Sequence, residues 1–174
     1  MPWNWTQPDW PNFRYDRVAI EPLERRFLLS SGEILGAVRH VTGEERDRLR
    51  IELLSEEAMR TSAIEGEVLD RSSVQSSLRR QFGLTTEGAP SKPREQGIAE
   101  MMVDVYSNHA APLTHDTLSH WHGMLLSHDR GLETIGAYRR HDDAMQIVSG
   151  RIDRPTVHFE APPSAQVQGE MDVF

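Results

Sequence analysis

Apolar residues recur at helical spacing along most of the chain, and the runs break at glycines, prolines and capping residues. From Arg17 to about Val41, Ile20, Leu23, Phe27, Ile34, Leu35 and Val38 predict an amphipathic helix facing a core. Gly43 breaks that run. A charged helix follows from about Glu44, with Leu49, Leu53 and Leu54 as its stripe and Glu44–Arg48 and Glu56–Arg60 as i,i+4 pairs. It ends at Gly66, the kind of residue that closes a helix in the left-handed region. Asp70 then reads as the cap of a short helix carrying Val74, Leu78 and Phe82.

Residues 83–93, GLTTEGAPSKP, have no periodicity and read as a linker. Beyond them, Ile98, Met101, Met102 and Val105 predict a helix from Pro93 to Asn108. A Thr114 cap opens another, with Leu118, Trp121 and Leu125 on one face. After Gly131 the period shortens. Met145–Ser149 alternates around Ile147, and Thr156–Phe159 is β-branched and aromatic, so the two predict a small hairpin. Pro162-Pro163 then starts a helix in which Val167, Met171 and Phe174 share a face up to the last residue. The fold class expected is mainly α, a helical bundle with one small β-hairpin.

The start of the chain is different. Trp3, Trp5, Trp10, Phe13 and Tyr15 lie among Pro2, Pro8 and Pro11, which forbid a regular helix there. Arg14 is the only basic residue among them, too little to track a nucleic-acid backbone. An extended strap packed on the helices that follow is the expectation.

Charge and composition narrow the chemistry. The net charge of −8 argues against nucleic acid and anionic membrane as partners. No apolar run approaches ~18 residues and no leader opens the chain, so a cytoplasmic location is expected. The absence of cysteine removes thiol catalysis and thiolate metal sites. Lys92 is the only lysine, which a bias toward arginine codons explains. His115, His120, His122 and His128 cluster, but without the spacing of a metal motif, so no metal site is expected. No nucleophile elbow, P-loop or dinucleotide fingerprint is present. One polar pair is oddly placed: Thr61 and Glu65 share a helix face, and Glu65 lies in the last turn, where the helix dipole disfavours a carboxylate. An acid kept there fits either a cationic partner or a plain solvated surface position.

Thr61…Glu65-Gly66 resembles the inhibitory motif of Fic-family proteins, Ser/Thr-x-x-x-Glu-Gly/Asn. Gly136-Ala137-Tyr138-Arg139 followed by Met145-Gln146-Ile147-Val148-Ser149-Gly150 resembles the family's flap hairpin. Val157-His158-Phe159-Glu160-Ala161-Pro162-Pro163 resembles the segment leading to its catalytic helices. The aromatic start is similar to the helical domain that precedes the Fic core in a bacterial subgroup. The resemblance spans nearly the whole chain in the right order. It implies a Fic-like fold, with residues 1–90 a regulatory helical domain and 91–174 the first part of a core.

What it implies chemically is AMP transfer from ATP, with magnesium, to hydroxyl groups of a target protein. Thr61, Glu65 and Gly66 would form the inhibitory element. Glu65 would pair with an arginine of the catalytic motif that otherwise grips the γ-phosphate, and Thr61 would assist. Met145, Gln146, Ile147, Val148 and Ser149 would form a flap that docks the target by strand addition. The Fic motif, His-x-Phe-x-Asp/Glu-Gly-Asn-Gly-Arg-x-x-Arg, is not matched. In the family it lies downstream of the Pro-Pro segment, so the chain is expected to be a truncated part with no catalytic residue and no activity of its own. The competing expectation is a non-catalytic, antitoxin-like inhibitor acting on a separate partner. Self-association stays open.

Overall fold

The computed structural model describes residues 3–86, 91–151 and 153–173. It is mainly helical, as expected, with one small antiparallel sheet. The helices are α1 (Arg17–Val38), α2 (Gly43–Ile64), α3 (Arg71–Gln81), α4 (Pro93–Ser107), α5 (His115–Leu126) and α6 (Ser164–Val173). The strands are β1 (Gln146–Arg151) and β2 (Arg154–Glu160). Two compact units emerge, Leu28–Ala137 and Met1–Phe27 with Tyr138–Phe174, each described by itself below.

In Leu28–Ala137 the core lies between α2, α3 and α4. Ile51, Leu54, Ala58, Leu69, Val74, Leu78, Ile98, Ala99 and Met102 fill it. The buried positions of α2 are Ile51, Leu54, Ser55 and Ala58, spaced i, i+3, i+4 and i+7. This corrects the expected stripe, because Leu49 and Leu53 are exposed. Serine hid the true stripe: Ser55 is fully buried because its hydroxyl donates to the Ile51 carbonyl at 2.5 Å. Ser77 does the same with Ser73 at 2.8 Å in α3. Such a hydroxyl is satisfied within its own helix, so it enters a core without an orphaned donor.

Local signals set the helix ends. Thr42 and Glu45 form a reciprocal capping box, so α2 begins at Gly43, one residue before the expected start, and α1 ends at Val38. The Asp70 carboxylate accepts from the Ser72 and Ser73 N–H groups, and Thr114 accepts from Thr117 N–H at 3.1 Å, both as the caps predicted. At the α4–α5 crossing Gly97 is obligatory, since a Cβ there would run into the Met124 carbonyl.

The expected boundary at 90/91 runs through this core, since Leu78 precedes it and Ile98 follows it. Of the expected linker 83–93, residues 87–90 lie outside the described residues. Its described ends are tied: Leu84 N–H donates to the Arg79 carbonyl at 2.8 Å, and Lys92 N–H to Ser73 Oγ at 2.9 Å.

α1 departs from expectation. The helix forms, with Val18 and Ala19 N–H groups capped by Asp16, but none of its residues is buried. Leu23, Phe27, Ile34 and Leu35 are each more than 60% exposed, so the apolar face does not meet a core. Periodicity identifies which side of a helix is apolar and says nothing of what covers it. Ile34 and Val38 instead line an open groove with Leu49, Leu53, Phe82 and Tyr106.

In the other unit, β1 and β2 pair antiparallel from Gln146↔Glu160 to Arg151↔Arg154. A bulge falls between Ile147 and Val148. The aromatic strap opens with a short 3-10 turn, Asn4–Thr6. Its contacts correct the expected packing, since they go to the far end of the chain. Trp5 Nε1 donates to the Glu160 carbonyl at 2.8 Å, Trp3 stacks edge-on against Phe159, and Trp10 Nε1 donates to Glu170 at 2.9 Å. Phe174, expected on the α6 face, lies outside the described residues.

Candidate functional site

The end of α2 is built by backbone chemistry. Gly66 takes φ +79°, a conformation that costs an L-residue ~1–2 kcal/mol. Gly66 N–H then donates to the Ala63 carbonyl at 3.1 Å and Glu67 N–H to the Ser62 carbonyl at 2.8 Å. This is a complete Schellman turn, and it fixes the path of the chain through Glu65.

Thr61, Glu65 and Gly66 are thereby brought together, all exposed. Thr61 Oγ1 donates to Glu57 Oε1 at 3.3 Å, one turn earlier, rather than to Glu65. The Glu65 side chain has no hydrogen-bond or ion-pair partner among the described residues. Its apolar neighbours Ile64 and Val68 are 82% and 88% exposed. A carboxylate so placed can receive a forked guanidinium. The arrangement can bind a cation.

The surroundings of Glu65 do not fit a nucleotide. Glu57 and Glu67 add negative charge, and Arg94 is already paired with Glu67. The triphosphate of ATP, which the resemblance implies together with magnesium, therefore finds no cradle at this helix end.

Further along, the chain supplies contacts that sequence reasoning left aside. Asp70 is held well below the usual carboxylate range by its Ser72 hydrogen bond, then by Lys92 and by the Ser73 N–H. Arg71 bridges back to Glu52 and Glu56 of α2, and its guanidinium holds the Glu56 carboxyl low, with Arg60 assisting. Glu95, in the first turn of α4, is buried. Its Oε1 accepts from Asp70 N–H at 3.1 Å, and Oε2 has no partner. Nothing in the sequence pairs Glu95 with Asp70. The Asp70 cap, the Glu56–Arg60 pair and the single lysine were the visible signals in this cluster.

The flap residues lie in the other unit. Met145 precedes β1, and Gln146, Ile147, Val148 and Ser149 lie on it, exposed throughout. A two-stranded sheet leaves an unpaired edge on each strand, so β1 offers one to an incoming strand. Ser149 Oγ and His158 Nε2 share a hydrogen bond of 2.6 Å across the hairpin. At its base the Arg139 guanidinium donates to the Pro162 carbonyl.

Among the clustered histidines, His122 makes a local tie: its Nδ1 accepts from Gly136 N–H at 2.8 Å. Among the described residues no three His, Asp or Glu side chains gather as a metal site. Nor is any helix among them long and apolar enough to cross a membrane.

Residues 3–84, from the strap through α3, match a family described as a domain of unknown function, DUF4172. No curated protein is matched by the chain.

Proposed function

We propose that this chain is the N-terminal regulatory part of a self-inhibited Fic protein adenylyltransferase, with Glu65 as the inhibitory residue. The observation that carries the reading is the Glu65 carboxylate, exposed and unpaired on a helix end that a Schellman turn holds in place. Flanked by exposed Ile64 and Val68, it would meet an arginine of the catalytic part and hold it away from the nucleotide phosphates. The exposed β1 edge supports the second half of the reading, docking of a target protein whose hydroxyl receives AMP. ATP and magnesium would be held by the part that carries the Fic motif, and the whole would work in the cytoplasm.

The test is labelling with radioactive ATP of the protein in which this chain accompanies its Fic motif. Glu65→Gly should raise incorporation well above wild type, and the 174-residue chain alone should incorporate nothing. Equal labelling of wild type and variant would overturn the reading. The same exposed helix end also suits a second reading, an antitoxin-like inhibitor acting on a separate catalytic protein. In that case the chain added in trans, and not the Glu65→Gly chain, would suppress labelling.

A further inference from the structure

Residues 91–95 tie down the turn that follows the end of α2. The Arg94 guanidinium pairs with the Glu67 carboxylate. Lys92 Nζ lies 3.1 Å from Asp70 Oδ2, and Asp70 N–H donates to Glu95 Oε1 at 3.1 Å. Lys92 N–H donates to Ser73 Oγ at 2.9 Å, seating the same residues on α3. Leu69, between the tied positions, is buried.

We propose that the N-terminal end of α4, through the capping residue Lys92 and through Arg94 and Glu95 of the first turn, is a latch that positions Glu65. The proposal rests on the inhibitory reading of Glu65 given above. Glu67 lies two residues beyond Glu65, and its N–H closes the Schellman turn. A tie on the Glu67 side chain therefore restrains the backbone that carries Glu65. Three of the four ties go to the segment between α2 and α3 rather than from helix to helix. The Lys92–Asp70 pair is solvent-exposed, and such pairs add little to global stability. Their effect is local order. Glu95 acts from the other side: it is buried, and the one oxygen it uses accepts a main-chain N–H of this turn. The three are positioning residues, acting through the chain path rather than on any ligand.

The first measurement is amide hydrogen exchange on the chain itself. In a Lys92→Ala/Arg94→Ala double variant, the Glu67 and Asp70 amides should exchange about tenfold faster, while core amides such as that of Leu78 stay protected. The exchanged pair Glu67→Arg/Arg94→Glu should restore protection at Glu67. Because Lys92 is the only lysine, amine-directed acetylation reaches it and the α-amine alone, and it should loosen Asp70 selectively. Unchanged exchange at Glu67 and Asp70, or a loss shared equally by Leu78, would overturn the latch.

The second measurement is AMP incorporation by the protein that carries the Fic motif. Loosening the latch should raise labelling toward the Glu65→Gly level, and the Glu67–Arg94 exchange should return it to wild type. If Glu65→Gly raises labelling and the latch variants do not, the positioning role falls and the inhibitory reading stands. If Glu65→Gly itself has no effect, the inhibitory reading falls and takes the positioning role with it.

Discussion

The indole N–H of Trp5 donates to the backbone carbonyl of Glu160 at 2.8 Å, joining the first residues of the chain to the end of β2. Trp3 adds an edge-on contact with Phe159, the neighbouring residue, at 5.9 Å between ring centres. The aromatic strap is therefore part of the hairpin's foundation. A bare two-stranded hairpin is marginal in water, and contacts of this kind are what a short sheet needs.

Trp5→Phe tests this directly. It keeps an aromatic ring and removes the N–H, so a half-buried hydrogen bond is lost. Stability should fall by about 1 kcal/mol, within the usual range for such a bond. Urea unfolding followed by far-ultraviolet circular dichroism would read the change. An unmoved midpoint would mean that the strap lies against the hairpin without supporting it.

A paired substitution tests the two faces that the sequence presented alike. Leu78 of α3 is fully buried, whereas Leu35 of α1 is 65% exposed. Leu78→Ala should cost ~2–5 kcal/mol, since it deletes methyl groups from a filled core. Leu35→Ala should stay within about 0.5 kcal/mol, as surface changes do. Chemical denaturation of both variants decides the matter. A large loss at Leu35 would show that the α1 face is covered in solution.

These contrasts show where sequence reading ends. Asp70, Thr114 and Gly66 were legible because a cap or a left-handed turn is set between residues a few positions apart. The hairpin was legible from its alternation. The contents of the core were less so: Ser55, Ser73 and Ser77 look polar in any count, yet each is buried. Their type says nothing about the carbonyl one turn away that Ser55 and Ser77 donate to. Nor could periodicity choose between Leu49 and Leu53 on one side of α2 and Ile51 and Ala58 on the other. The site divides in the same way. Glu65 drew notice by its place at a helix end, a local anomaly. Glu95 did not, because its partner Asp70 stands 25 positions earlier and only the tertiary fold joins them.

Asp70 also gives the turn a pH signature. Its carboxyl is held below the usual value, first by the Ser72 hydrogen bond and then by Lys92 and the Ser73 N–H. The folded protein therefore binds this proton less readily than the unfolded chain, whose aspartates titrate near ~3.9. Below that value the unfolded state carries more protons, so stability rises with pH through this window and falls as acid is added. The contribution of Asp70 is fully present above the unfolded value and is lost as pH falls toward and through the folded one. Asp70→Asn keeps a capping oxygen but cannot titrate, so it isolates the charge. At neutral pH the variant should be the less stable, since a neutral amide oxygen replaces the charged cap on the Ser72 and Ser73 N–H groups. Between about pH 4.5 and pH 2 the wild-type midpoint in urea should fall more steeply, and the two curves should converge. Glu45 and Glu56, also held low, remain in both proteins and cancel in the difference. Parallel curves over that range would mean that the Asp70 charge does not discriminate between folded and unfolded chains.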